Sequence, residues 1–310
     1  MGPHHLFVLL SFIAMQGTSD RTEFSPGDAL RRVTVPPGYE ARVYTVGVTG
    51  ADGLALSPSG ILYCVSETMG QVLRLGPDGE KEVVMDGLNG PEGIAVDGSG
   101  RILVTEDVEK GRLLALEPDS GPSVLSDSVM YSEGVAVSAG GDIFLTESNA
   151  EASTFPPFLT GIRRMAADGA ETSFSSLYLW SLSDIVVSPS GSIIACNELS
   201  GYPLITESLL ELDPASGAWT VLAVGLTACE GICATPGSFF PLYVAEEDTG
   251  DGRGRVSSID SLGRSTVVAE GFMNIEDVAV DEIGRIFVSE DTTGMIIVLV
   301  PSGTPAAPRP

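Results

Sequence analysis

From Ala51 to Val300 the chain alternates short apolar runs with clusters of Pro, Asp, Gly and Ser. The stretch PEGIAVDGSGRILVTED, from Pro91 to Asp107, sets the pattern. It reads as an acid, an apolar strand (Ile94 to Val96), a tight glycine turn, a second apolar strand (Ile102 to Val104) and two closing acids. The arrangement returns as ADGLALSPSGILYCVSE from Ala51, SEGVAVSAGGDIFLTES from Ser132 and LSDIVVSPSGSIIACNE from Leu182. Two more copies, CEGICATPGSFFPLYVAEED from Cys229 and IEDVAVDEIGRIFVSED from Ile275, complete a repeat of roughly 40 to 50 residues. Each copy runs on into a third apolar strand and usually a fourth, with turn residues where hairpins need them.

Short strands repeated six times, with no helical periodicity, predict an all-β fold: a six-bladed β-propeller with four antiparallel strands per blade. The sixth copy ends after its third strand, MIIVLV, so YEARVYTV (Tyr39 to Val46) is expected to supply the fourth. An N-terminal strand then closes the ring and removes its open edges. The predicted organisation is a signal peptide over 1–19, a leading arm over 20–38, the propeller over 39–300 and a Pro-rich tail over 301–310.

In such a ring the first strand of each blade lines the central channel. Its start and the end of strand two lie on one face of the disc, and the glycine turn between them lies on the other. The recurrent acids therefore gather on one face. The inner column is Asp52, Glu92, Glu133, Ser183, Glu230 and Glu276, with Asp184 and Asp277 one place later where the other copies have glycine. The outer column, ending strand two, is Ser66, Glu106, Glu147, Asn197, Glu246 and Glu290. It is followed by Glu67, Asp107, Ser148, Glu198, Glu247 and Asp291.

Charge sharpens this. The formal net charge is −26, from 42 acids against 16 bases, which argues against a nucleic-acid partner. Two carboxylates about 6 Å apart at an effective dielectric near 20 repel by roughly 3 kcal/mol. A ring of them either stays partly protonated or holds a cation. With oxygen donors only, calcium or another divalent cation fits best, and Asp52, Glu92, Glu133, Asp184, Glu230 and Glu276 are the expected ligands. For the outer column the competing reading is structural, the acids capping backbone N–H groups.

The apolar run Leu6 to Met15 has the length of a signal-peptide core and is too short to span a bilayer, so the chain is expected to be secreted or periplasmic. Cleavage after it would remove His4 and His5, the two histidines of the chain. Cys64, Cys196, Cys229 and Cys233 match no zinc spacing and read as buried thiols; a Cys196–Cys229 bridge is the open alternative. Cys229 and Cys233, four apart, are expected on one face of a strand.

The six copies, PEGIAVDGSGRILVTED among them, and their ring of oxygen donors resemble the gluconolactonase/senescence-marker-protein/luciferin-regenerating-enzyme family, within the wider circle of NHL-repeat and strictosidine-synthase-like propellers. The resemblance implies one divalent cation, often calcium, at the channel mouth. Its ligand positions fall on Asp52, Glu133, Ser183 with Asp184 adjacent, and Glu230. The family's middle asparagines are absent here. Histidine-dependent mechanisms of the paraoxonase or virginiamycin-lyase kind are disfavoured.

The expected function is thus a metal-dependent hydrolase of a small-molecule lactone or ester, with Glu230 or Asp184 as general base. The competing reading is a non-catalytic propeller that binds a peptide, glycan or cationic partner; a strictosidine-synthase-like enzyme is a third. Tyr131, Phe155, Phe158, Trp180, Tyr202 and Phe272 are expected to wall the substrate pocket.

Overall fold

The computed structural model describes residues 25–76, 79–148, 160–175, 181–198, 207–250 and 252–303. The strands assemble into six four-stranded antiparallel sheets, in the predicted order. The innermost strands are Ala51–Leu56, Pro91–Val96, Val135–Val137, Leu182–Val187, Cys229–Thr235 and Ile275–Val280. These six segments carry the predicted inner acids at or beside their starts.

Closure is as read from the sequence. Strand Tyr39–Val46 pairs antiparallel with Met295–Pro301, Tyr39 opposite Pro301 and Val46 opposite Met295. The last strand therefore extends one residue into the expected tail. The expected signal segment and residues 304–310 lie outside the described residues.

Six apolar clusters fill the fold, one between each pair of neighbouring blades. Between blades five and six lie Phe272, Ile275, Val278 and Met295; between blades four and five, Cys196, Leu209, Cys229 and Val244. The second and third strands of the blades are buried almost throughout and read as near-continuous apolar runs, whereas the outermost strands, such as Pro122–Val129, face solvent.

The leading arm is not plain coil. Pro26–Arg32 forms a short helix, α1, capped by the Ser25 side chain, which accepts from the Asp28 N–H, and with proline in its first turn. The signal, Ser-Pro-Gly-Asp, is present in the sequence but too short to show periodicity. Helix α1 buries Ala29 against the cluster between blades five and six, and Thr34 bridges to Glu270. Among the described residues no helix is long and apolar enough to cross a membrane.

In five blades the first strand is irregular at one place. Pairing runs Ala51 to Ser66 and then Leu54 to Cys64, three residues against two. The same slip follows Pro91, Leu182, Cys229 and Ile275. Each is a β-bulge, and it falls on the inner position and the residue after it, Ser183 and Asp184 in blade four. A bulge inverts the side-chain alternation beyond it. This corrects the expectation for Cys229 and Cys233: they face opposite blade interfaces. Cys64, Cys196, Cys229 and Cys233 are all free thiols.

Candidate functional site

In five blades the loop entering the first strand shares one backbone feature. Two residues before the inner acid the backbone is left-handed: Gly50, Gly90, Tyr131, Ala228 and Asn274 have φ of 66°, 57°, 44°, 40° and 49°. In blades one, two, five and six the carbonyl at that position accepts the N–H of the residue just after strand two of the same blade; in blade three Met130 O takes the Ser148 N–H instead, at 3.1 Å. Examples are Asp107 N–H to Gly90 O at 2.7 Å, Glu247 N–H to Ala228 O at 2.9 Å and Asp291 N–H to Asn274 O at 3.0 Å. In blades one, two, five and six the bulge follows at the inner acid, whereas in blade three the strand begins only at Val135, two residues after Glu133.

These acids surround a cavity of about 250 Å³ at the channel mouth; among the described residues fifteen line it, of which ten are Asp or Glu and none is Lys or Arg. All six predicted ligands, Asp52, Glu92, Glu133, Asp184, Glu230 and Glu276, stand in its lining. Three groups of carboxylates come within 4.8 Å of one another: Asp52–Glu67–Glu92, Glu92–Asp107–Glu133 and Glu133–Glu198–Glu230. Asp107, Glu198 and Glu67 were not among the predicted ligands. The available signal was alternation: when Glu106 turns one way at the end of its strand, Asp107 turns the other.

Electrostatics follow from packing these groups together. Burial pushes the Asp52 carboxyl up to about 8, with the Glu67 and Asp291 carboxylates adding to the rise. Burial, then Asp52 and Glu247, takes Glu276 to about 10. Asp107 is raised to about 6 by burial and by Glu67 and Glu198. Glu92, Glu133 and Glu230 lie well above the usual carboxylate range, from burial first and like-charged neighbours second. Glu230 and Glu198 are hydrogen-bonded carboxyl to carboxyl.

Asp184 and Asp277 are different. Asp184 Oδ2 accepts the Ile232 N–H at 3.1 Å, and Asp277 Oδ2 accepts the Leu54 N–H at 2.6 Å. Each reaches across to the next blade and fixes its backbone. Glycine is required where the preceding blade passes: a Cβ on Gly134 would stand 2.7 Å from Asp184 Cα. Ser183, the one inner position without a carboxylate, donates to the carbonyls of Cys229 at 2.6 Å and Glu230 at 2.9 Å.

The outer column is structural. Glu106 accepts the Asn89 N–H at 2.8 Å and the Arg112 Nε at 2.7 Å. Glu246 accepts the Thr227 N–H and Arg255 Nε, both at 2.8 Å. Glu147 takes the Met130 N–H and pairs with Arg163 at 2.9 Å. Glu290 accepts the Met273 N–H at 2.8 Å and pairs with Arg32 at 3.3 Å. In all four blades the N–H held this way lies three residues before the inner glutamate.

Among the described residues the expected aromatic wall is not formed. Phe272 is fully buried in the core between blades five and six, because its strand turns it toward the sheet interface. Tyr131 is half-buried at its left-handed turn and outside the lining. Phe155, Phe158, Trp180 and Tyr202 lie outside the described residues. Ile94 is the one apolar side chain in the lining among the described residues.

The donor set suits a hard cation. It is all oxygen, it has no internal counter-charge, and Asp107 Oδ1 is buried without a hydrogen-bond partner among the described residues.

No known family profile and no curated protein matches the sequence. Solved structures do match. A gluconolactonase from Xanthomonas campestris superposes with a TM-score of 0.70 at 16% identity, covering 87% of this chain and 94% of that one. An auxiliary nutrient binding protein from Bacteroides thetaiotaomicron gives 0.65 at 13%, covering 84% and 75%. A streptogramin B lyase gives 0.60 at 13%, covering 85% and 98%. These neighbours carry different names on one architecture, so the likeness speaks for the fold. The chain is a six-bladed β-propeller of the kind that gluconolactonase-like structures share, as the resemblance in its repeats implied.

Proposed function

We propose that the channel mouth binds a divalent cation, calcium by preference, and that the protein uses it to hydrolyse a small lactone or ester. The observation that carries this reading is the convergence of carboxylates from separate blades, within 4.8 Å of one another and with no basic side chain among them. Glu92 and Glu133 each belong to two of the three groups, so they are the central ligands, with Asp52, Asp107, Glu198 and Glu230 around them. Glu276 faces the same cavity from blade six.

A calcium ion bound there would polarise a carbonyl oxygen and acidify a coordinated water. Glu230 is the better candidate for the base, since its carboxyl stands beside those of Glu133 and Glu198, and burial with these like-charged neighbours raises its proton affinity above that of an ordinary carboxylate. Asp184 suits that role less, because Oδ2 is committed to the Ile232 N–H. The like-folded gluconolactonase supports the lactone class. The apolar run Leu6 to Met15 supports secretion or a periplasmic location, which N-terminal sequencing of the mature protein would test.

Elemental analysis joined to a lactone and aryl-ester panel, with and without chelator, tests the proposal. One bound divalent cation and chelator-sensitive turnover are expected. A second reading, a binding module for a hydrophilic cationic ligand, is favoured by the scarcity of apolar lining, in which Ile94 stands alone among the described residues. Tight metal binding with no turnover across the panel would select it. A protein that holds no cation would end the hydrolase reading.

A further inference from the structure

The blades differ in a correlated way. Blades two, three, five and six carry glutamate at the inner position, and the same four carry glutamate at the outer one: Glu92 with Glu106, Glu133 with Glu147, Glu230 with Glu246, Glu276 with Glu290. Blades one and four have Asp52 and Ser183 inside, and Ser66 and Asn197 outside. A long, flexible inner side chain thus occurs where an outer carboxylate grips the N–H three residues upstream.

Each outer carboxylate needs a cation to be stable where it is buried. In blades two, three and five the third strand of the same blade supplies it, as Arg112, Arg163 and Arg255. Blade six cannot do this. Its third strand, Met295–Pro301, is apolar throughout. Arg32 comes instead from α1, outside the propeller, with Nη2 3.3 Å from Glu290 Oε2 and Nη1 donating to Gly271 O at 3.1 Å. The contact is built for. Gly271 has φ of 97° and leaves no room for a Cβ beside the Arg32 carbonyl, Thr34 and Glu270 exchange backbone hydrogen bonds, and Ala29 is fully buried. Beyond the clamp, the loop passes through Met273, held by Glu290, and Asn274, whose Nδ2 donates to Glu276.

We propose that helix α1 is part of the functional site: Arg32 is a positioning residue that, through Glu290 and the Met273 N–H, holds Glu276 toward the channel mouth. The inference rests on the cation reading for its functional consequence but not for its geometry. The leading arm is then a clasp on blade six, and its release loosens one side of the carboxylate ring while the other five blades keep their shape.

The experiment uses the full chain in four forms: wild type, Arg32→Ala, Arg32→Lys and Arg31→Ala, the last removing an exposed arginine of the same helix. Amide hydrogen exchange over residues 271–276 is followed with and without calcium, and calcium affinity is measured by calorimetry. In Arg32→Ala, exchange across Met273 and Asn274 is expected to speed up and calcium affinity to fall about tenfold, as for loss of an outer-shell support. Arg32→Lys should recover part of both, and Arg31→Ala neither. In a Glu276→Gln background the further loss of affinity from Arg32→Ala should vanish. Unchanged exchange in Arg32→Ala overturns the clamp. Faster exchange with the same affinity loss in both backgrounds overturns its action through Glu276. A wild type that binds no calcium refutes the cation reading, while the exchange arm still decides whether Arg32 holds the loop.

Discussion

Two rings of carboxylates share one face of the disc, one at the start of the first strands and one at the end of the second, and they are treated in opposite ways. The outer acids, Glu106, Glu147, Glu246 and Glu290, each have an arginine and a backbone N–H. The inner acids have one another. A buried carboxylate costs several kcal/mol unless it is paired, and the outer ring shows that this chain can provide the partner. Leaving the inner ring without one spends folding stability on a site that attracts cations.

The contrast is tested most strongly by removing one member of each ring. Glu246→Ala strands Arg255 and the Thr227 N–H and is expected to destabilise by about 3 kcal/mol or more in urea denaturation. Glu133→Gln should leave the chelated protein as stable as wild type or more so, because a repelling charge is lost. Equal costs for the two would erase the distinction between the rings.

Affinity comes next. Glu133 belongs to two of the three carboxylate groups, so Glu133→Gln should weaken calcium binding about 100-fold, roughly 2.7 kcal/mol. A calorimetric titration that matches wild type would show that the third blade does not ligate.

Acidity probes the same ring without mutation. The folded-state values of Asp107 (about 6), Asp184 (about 7), Asp52 (about 8) and Glu276 (about 10) lie above those of unfolded carboxylates near 4. The folded state therefore binds more protons than the unfolded state between about pH 4 and 8, and stability falls as pH rises through that window. The chelated protein is expected to lose about 4–8 °C of Tm between pH 5 and 8. Calcium should flatten that slope. A Tm that climbs with pH in chelator would contradict the unpaired ring.

The smallest effect concerns the loop that aims the inner acids. Ala228 sits at φ of 40°, where glycine is at ease, so Ala228→Gly is expected to stabilise by about 0.5–1 kcal/mol in the same denaturation assay. A loss of stability would mean that the left-handed turn is held for the packing of the alanine methyl.

Much of this was legible in the residues. The repeat gave the blade count, the strand order and the closing role of Tyr39 to Val46, because strand periodicity and turn chemistry are local. It also placed the acids on one face, since the start of strand one and the end of strand two are adjacent in any antiparallel hairpin. Sequence reasoning missed Asp107 and Glu198 as members of the cavity, and put Cys229 and Cys233 on one face. The cysteine error traces to the bulge, one extra residue that reverses the alternation and leaves no mark in the apolar pattern; Asp107 and Glu198 each follow the outer position by one residue and so turn to the opposite side.

The sequence alone therefore determined the ring, its six apolar interfaces and the positions where negative charge would collect. Only tertiary structure decided which carboxylates are neutralised and which are not. That division depends on arginines arriving from a third strand or, for blade six, from a helix more than 200 residues away in the chain. Charge compensation acts through space over a few ångströms, and no local pattern encodes who the neighbour will be.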